Sequence, residues 1–368
     1  MKAFFRHLAR RRFPYEPLIT IEISKNQLLK NLKDFQSKAS QGQVAPVLKS
    51  NAYGHGLVEV ATFLEDQSEI PFFIVDSYFE AIILRSKGVK KPLLIIGYNR
   101  PETIINSRIK DIAFTITSLE MLQSIQDIKR PTKIHLKIDT GMRRQGLLPE
   151  DITEAIEIIK KNSYIRLEGI CTHFSDADNS NSSFTDQQIR LWNSIVSDFK
   201  TQFPSLKYIH AANTDGMKYS KQIEANIGRL GIGLYRGVLQ MKTIVTSIKE
   251  LKKGETIGYG NTYKANADMK VATIPVGYYE GLDRRLSNKG FVQVGPEKIL
   301  CPIVGRVSMN ISSIDVSKVP GVHIGTEVVV ISRNITDPNS VEGISKIENT
   351  IDYEVLVRIP AHLKRVEK

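Results

Sequence analysis

Lys49 ends a short apolar run, Val44–Leu48, and is followed at once by the polar, glycine-containing stretch "SNAYGHG", residues 50–56. A primary amine on the last residue of a buried strand is a group that condenses with a carbonyl, although position alone also suits a solvated lysine on the rim of a fold. Other apolar runs end in a comparable way. The stretch "HLKIDTGMRRQG" brings Lys137, Asp139, Arg143 and Arg144, "CTHFSDAD" brings His173, and "HAANTDG" brings Asn213 and Thr214. In "NIGRLGIG", Arg229 stands just ahead of Gly231 and Gly233. Permissive backbone beside a hydroxyl lets N–H groups converge on phosphate oxygens. Singly, each signal is weak: His173 also reads as a core histidine, and the glycines as a strand-end turn. Together, an amine nucleophile, a phosphate-compatible turn, an imidazole and several arginines describe a pyridoxal phosphate site.

These residues need elements that bring them to one place. Strand candidates are Val44–Leu48, Phe72–Val75, Leu93–Ile96, Ile112–Ile116, Ile134–Ile138, Leu167–Thr172, Tyr208–Ala211 and Leu230–Tyr235. Between them lie stretches such as "LVEVATFLEDQ" and "EDITEAIEIIKKN", whose apolar residues recur every three or four positions, as in amphipathic helices. Eight strands alternating with helices point to a TIM-type (β/α)8 barrel, where the C-terminal strand ends form one mouth. A doubly wound sheet is the alternative, but no GxGxxG turn follows the first strand. Beyond about residue 240, short strands alternate with glycine turns, which predicts a mainly antiparallel β-domain. The expected domains are thus 1–240, with a basic N-terminal extension over about 1–16, and 241–368.

Composition narrows the classes. The chain has 368 residues, 41% of them hydrophobic and 24% charged, as in a folded globular protein. The formal net charge of +12 comes from scattered Lys and Arg, with no stripe interleaved with aromatics. No nucleic-acid partner is therefore expected, and the charge fits an anionic small molecule or a generally basic surface. No apolar run approaches the roughly 20 residues needed to cross a bilayer, so no membrane association is expected. Cys171 and Cys301 are the only cysteines and lack metal-site spacing, so no metal centre is expected and a reducing cytoplasm fits. The start, "MKAFFRHLARRRFPYEP", is Arg-rich but has no apolar core of a signal peptide, and it reads as a frayed basic terminus.

The stretch "VLKSNAYGHG" resembles the pyridoxal-phosphate signature of the alanine racemases. The resemblance continues in order through "HLKIDTGMRRQG", "EGICTHFSDAD", "HAANTDG", "RLGIGLYRG", "GETIGYGNTY", "IPVGYYEGLDR", "VGRVSMN" and "IDYEV", over roughly residues 20 to 356. It implies a (β/α)8 barrel followed by a β-domain, and a homodimer with active sites shared between subunits. Lys49 would bear the cofactor as a Schiff base and act as one base, handling the D-isomer's proton. Tyr259 would be the opposing base, for the L-isomer, contributed by the partner's β-domain. Two groups are needed because the α-proton leaves one face of a planar carbanion and returns on the other. Arg229 would face the pyridine nitrogen and, staying protonated, leave that nitrogen a weaker electron sink. His173 would tune the tyrosine. Tyr53, Thr214, Gly231, Ile232 and Tyr353 match positions around the phosphate, and Asn213 a neighbour of the ring. Arg144 and the Met309 amide match groups that hold the substrate carboxylate, and Tyr278 lines the entrance. Lys137 corresponds to a lysine often carbamylated in the family.

The expected activity is interconversion of L- and D-alanine in the cytoplasm, supplying peptidoglycan precursors. A serine or broad-specificity racemase is the alternative within the class, and a fold-related decarboxylase the alternative outside it. Three departures stand out. Arg143 replaces a common glycine, Ser308-Met309-Asn310 replaces Cys-Met-Asp and so removes a carboxylate, and the C-terminus is short.

Overall fold

The computed structural model of the chain describes residues 15–39, 43–179 and 181–368. Most of the expected basic extension, 1–14, lies outside the described residues. Contacts divide the chain into Lys25–Arg236 and a second unit made of Gly237–Lys368 with the segment ending at Ser24. Strand β1 (Thr20–Ile23) belongs to the second unit.

Lys25–Arg236 holds eight short parallel strands: β2 (Val44–Pro46), β3 (Phe73–Val75), β4 (Leu93–Ile95), β5 (Ile112–Ile116), β6 (Thr132–Lys137), β7 (Ile165–Cys171), β8 (Tyr208–His210) and β9 (Gly228–Leu230). Strands β3 to β8 neighbour one another in chain order, and β2 pairs with β9. The two rows join at both ends. Leu48 N–H donates to Ile74 O at 2.7 Å, and Arg229 N–H donates to Ala212 O at 2.9 Å. The result is the expected barrel. Strands β3, β4, β5, β8 and β9 are buried at every residue, because helices cover their outer face while side chains fill the interior. Serine caps start several of those helices: the Ser77, Ser118 and Ser182 side chains accept from N–H groups three residues on. The last strand differs from its expected span. It ends at Leu230, and Ile232–Tyr235 forms one turn of helix. Leu, Ile and Tyr spaced by glycines satisfy either a buried strand or a buried turn, so hydrophobicity alone does not separate them.

The second unit is mainly antiparallel, as expected. Its larger sheet has six strands in the order β16 (Ile299–Pro302), β15 (Phe291–Val294), β18 (Glu327–Ile331), β10 (Leu239–Ile244), β1, β19 (Lys364–Glu367), with only β1 and β19 parallel. A second sheet orders β11 (Ser247–Leu251), β14 (Met269–Ile274) and β17 (Ser312–Asp315), while β12 (Thr256–Ile257) and β13 (Tyr263–Lys264) form a hairpin. Two helices, Val341–Glu348 and Asp352–Val357, follow β18. Among the described residues no helix is long and apolar enough to cross a membrane.

Candidate active site

Lys49 sits two residues beyond the β2–β3 bridge at Val47, half-buried at the C-terminal strand ends. The backbone after it is unusual. Ser50, Asn51, Ala52 and Tyr53 all have positive φ, between 49° and 56°, and Gly54 continues at 80°. For L-residues this left-handed conformation costs roughly 1–2 kcal/mol each, so the surroundings must hold it. They do so through Ser50 N–H donating to Glu80 Oε1 at 2.7 Å and Leu57 N–H donating to Asn51 Oδ1 at 2.9 Å. His55, fully buried, bonds the Tyr53 carbonyl through Nδ1 at 2.9 Å and lies 4.6 Å from the Tyr235 ring. It is part of the turn's scaffold.

The turn delivers the Tyr53 hydroxyl to β9's end. A Cβ on Gly231 would lie 2.8 Å from Tyr53 Oη and 4.0 Å from Thr214 Oγ1. The missing side chain therefore keeps open a cradle bounded by two hydroxyls and backbone, a donor set suited to a phosphate. Thr214 Oγ1 also accepts from Gly233 N–H at 3.4 Å, and Ile232, partly exposed, lies between these glycines. Asn213 uses its Oδ1 on Gly216 N–H at 2.8 Å and so shapes the loop.

Arg229 is buried, and burial lowers its pKa. Nη1 donates to His210 O (2.7 Å) and His210 Nδ1 (3.1 Å); Nη2 donates to Thr172 O (2.8 Å), Ala211 O (2.9 Å) and His173 Nδ1 (3.2 Å). The four Nη hydrogens are thus engaged, and Nε–H is the donor left for an acceptor from outside the chain. No carboxylate bonds this guanidinium among the described residues. A guanidinium only donates, so both imidazoles must present a bare Nδ1. His210 then carries its hydrogen on Nε2, 2.8 Å from His135 Nδ1, deeper in the barrel. Burial lowers the pKa of His135 to about 3 and that of His210 well below its usual value. For His173 burial together with Arg229, Arg144, Lys137 and Lys49 lowers it to about 3. All three are neutral at physiological pH.

Lys137, at the end of β6, is half-buried, and burial is the main cause of its lowered pKa, with Arg144 and Arg229 adding to it. It donates to Gln145 Oε1 at 3.3 Å. Asp139 is not its partner: that carboxylate accepts from Gly141 N–H (2.7 Å) and Arg143 N–H (3.1 Å). Arg143 and Arg144 are exposed beside it.

The remaining candidates lie in the second unit and face outward. Tyr259, between β12 and β13 in a Gly-Tyr-Gly turn, is 71% exposed; Met309 is 55%, Tyr278 44% and Tyr353 38%. Two of these share one scaffold. Tyr278 N–H donates to Ser308 O at 3.0 Å and Tyr279 N–H to Met309 O at 2.9 Å, while a Cβ on Gly277 would strike the Ser308 and Met309 carbonyl oxygens. Tyr353 stands on the Asp352–Val357 helix, which Arg358 ties to Asp283.

Comparison with known proteins resolves what this arrangement belongs to. Residues 23–238 match the N-terminal domain of alanine racemases and residues 238–367 the C-terminal domain. The chain belongs to the alanine racemase family. The alanine racemase of Methanococcus maripaludis is 32% identical over 369 residues, covering 95% of this chain and 98% of that protein. The solved alanine racemase of Clostridium difficile 630 superposes with a TM-score of 0.88 at 29% identity, covering 96% of each chain. A histidine racemase from Leuconostoc mesenteroides has the same fold, with a TM-score of 0.84, 26% identity and coverage of 97% and 99%.

Against the alanine racemase pattern, the departure at Asn310 has a local explanation. Its Nδ2 donates to Glu280 Oε1 at 2.7 Å, and Glu280 Oε2 accepts from Gly277 N–H at 2.9 Å. Glu280 is buried, so the amide partners a carboxylate that an aspartate would repel. Arg143 adopts φ 57°, a conformation better suited to the glycine common in the family. Sequence reasoning missed Glu80, His210 and Glu280. The signal for Glu80 was present in "SYFE", the Ser-x-x-Glu spacing of a capping box. His210 and Glu280 act through tertiary neighbours and left no such mark.

Proposed function

We propose that the protein is a pyridoxal-phosphate-dependent alanine racemase that interconverts L- and D-alanine. The observation that carries the reading is the barrel mouth within this family: Lys49 at the end of β2, the Tyr53–Thr214–Gly231 cradle beside it, and Arg229 with Nε–H still available. These residues fit the cofactor. Lys49 would hold its carbonyl carbon, the cradle its phosphate, and Arg229 its ring nitrogen, with His173 and Asn213 beside the ring. When bound, pyridoxal phosphate supplies the electron sink that acidifies the substrate's Cα–H. Arg229 would donate to the ring nitrogen without protonating it, which would moderate that sink.

Lys49 Nζ and the Tyr259 hydroxyl act from opposite faces: one takes the Cα proton, the other returns one, and no net proton is consumed. Arg144 and the Met309 N–H would hold the substrate carboxylate, Tyr353 would match a position around the phosphate, and Tyr278 would line the approach. Carbamylation of Lys137 would turn one cation of this crowded positive cluster into an anion that orients Arg144. The exposure of Tyr259 and Met309 supports a homodimer in which a second copy supplies them to the barrel mouth. We place the activity in the cytoplasm, supplying D-alanine for peptidoglycan.

A broader racemase is the second reading, because the histidine racemase shares the fold. Incubation in deuterated water with a panel of L-amino acids tests both. Alanine should appear as the D-isomer labelled at Cα and at the highest rate. A faster serine or histidine reaction supports the second reading, and loss of carbon dioxide refutes both.

A further inference from the structure

Glu80 lies three residues after Ser77, the N-cap of the Tyr78–Ser86 helix, and completes a capping box. In such a box the carboxylate serves its own helix start. Here it reaches further. Oε2 accepts from Asp76 N–H at 2.8 Å and Ser77 N–H at 3.4 Å, while Oε1 accepts from Ser50 N–H at 2.7 Å. Ser50 is joined directly to Lys49 and is the first residue of the left-handed run. The bond is charge-assisted, and its partner sits on a capped helix following the neighbouring strand β3. The Lys49–Ser50 peptide is thus held from outside its own segment, at the point where the chain departs from its preferred hand.

We propose that Glu80 is a positioning residue for Lys49: by holding Ser50 N–H, its Oε1 sets the backbone from which Lys49 Nζ reaches the substrate's Cα. This rests on the reading of Lys49 as cofactor lysine and base. A group that only capped a helix would affect stability; one that aims a base affects the proton transfer that base performs. The L/D equilibrium constant is one by symmetry, so any variant lowers kcat/KM equally in both directions. The distinction lies in which transfer limits the rate, and primary isotope effects report it.

The test compares wild type, E80A and E80Q as cofactor-saturated holoenzymes, using alanine deuterated at Cα as either isomer. E80Q keeps one carbonyl oxygen on the same stem. In E80A, kcat/KM should fall about tenfold or more, equivalent to losing one hydrogen bond to a charged group. The isotope effect should rise for D-alanine, whose proton Lys49 takes, and fall towards unity for L-alanine. E80Q should recover part of the rate and move both isotope effects back towards wild type. If E80A fails to fold, E80Q carries the test, with smaller shifts in the same directions. A lower melting temperature with unchanged kcat/KM and isotope effects in both variants would overturn the proposal, leaving Glu80 a cap. A K49A control that still forms the cofactor's coloured adduct and racemises alanine would instead overturn the reading of Lys49.

Discussion

Replacing Asn310 by aspartate would restore the residue common in the family and, in this chain, set two carboxylates against each other. The amide nitrogen that now donates to Glu280 Oε1 at 2.7 Å would become an oxygen. At that separation both groups cannot stay ionised. The variant has two ways out. It can keep a proton on one group, which for an ordinary carboxyl of pKa about 4 costs about 5 kcal/mol at pH 7.5. Alternatively the introduced carboxylate can turn to solvent, since Asn310 is already exposed, and forfeit a hydrogen bond to a charged group worth about 1.5–3 kcal/mol. The second route is cheaper and sets the expected loss at about 2 kcal/mol at pH 7.5. The sign with pH follows from linkage. Retaining a proton is the cheaper route only below about pH 5.5, so the deficit shrinks as pH falls from there, vanishes near pH 4 and is level above about pH 5.5. Urea unfolding of wild type and N310D between pH 4.5 and 8 reads this directly. Because Met309 rides on the same turn, KM for alanine should rise in parallel. A deficit independent of pH, or none at pH 7.5, would refute the reasoning.

Gly231→Ala would put a methyl 2.8 Å from Tyr53 Oη and close the cradle; cofactor affinity, read by absorbance titration, should drop at least about tenfold, the scale of a small overpacking. Tyr259→Phe should cut turnover by orders of magnitude while leaving the melting temperature in place, because the ring is kept and only the hydroxyl is removed. Burial, with Asp283 adding to it and Arg285 and Arg358 opposing, raises the Glu348 pKa to about 7. Its protonated form is favoured in the fold, so wild-type stability should fall between about pH 4.5 and 7 relative to E348Q, and the two melting curves should then run parallel. Arg143→Gly should raise stability by up to about 1 kcal/mol by relieving a left-handed arginine, with activity retained.

Much of the barrel was legible because each strand is a short apolar run and each helix has its own period, both local properties. Lys49 was legible for the same reason, as a charge placed where a strand stops. The turn after it was not. Among Ser50, Asn51, Ala52 and Tyr53, only asparagine favours a left-handed backbone, and the conformation depends on Glu80, 30 positions away in the sequence. Likewise, Asn310 read as a lost charge and proved to be the donor to a buried acid on another turn. Thr20–Ile23 gave no hint that it pairs with both Leu239–Ile244 and Lys364–Glu367, since a strand's register belongs to its partners.

The row from Arg229 through His210 to His135 has a polarity. A cation that can only donate forces the first ring's tautomer, and that ring forces the second, so the hydrogens run in a single order, as in one strand of ice. Reversing any link would set donor against donor in a dry interior. Because burial holds the His135 pKa at about 3 and that of His210 well below its usual value, mild acid does not scramble this order. The guanidinium at the head of the row therefore keeps its aim over the whole range of pH in which both rings stay neutral.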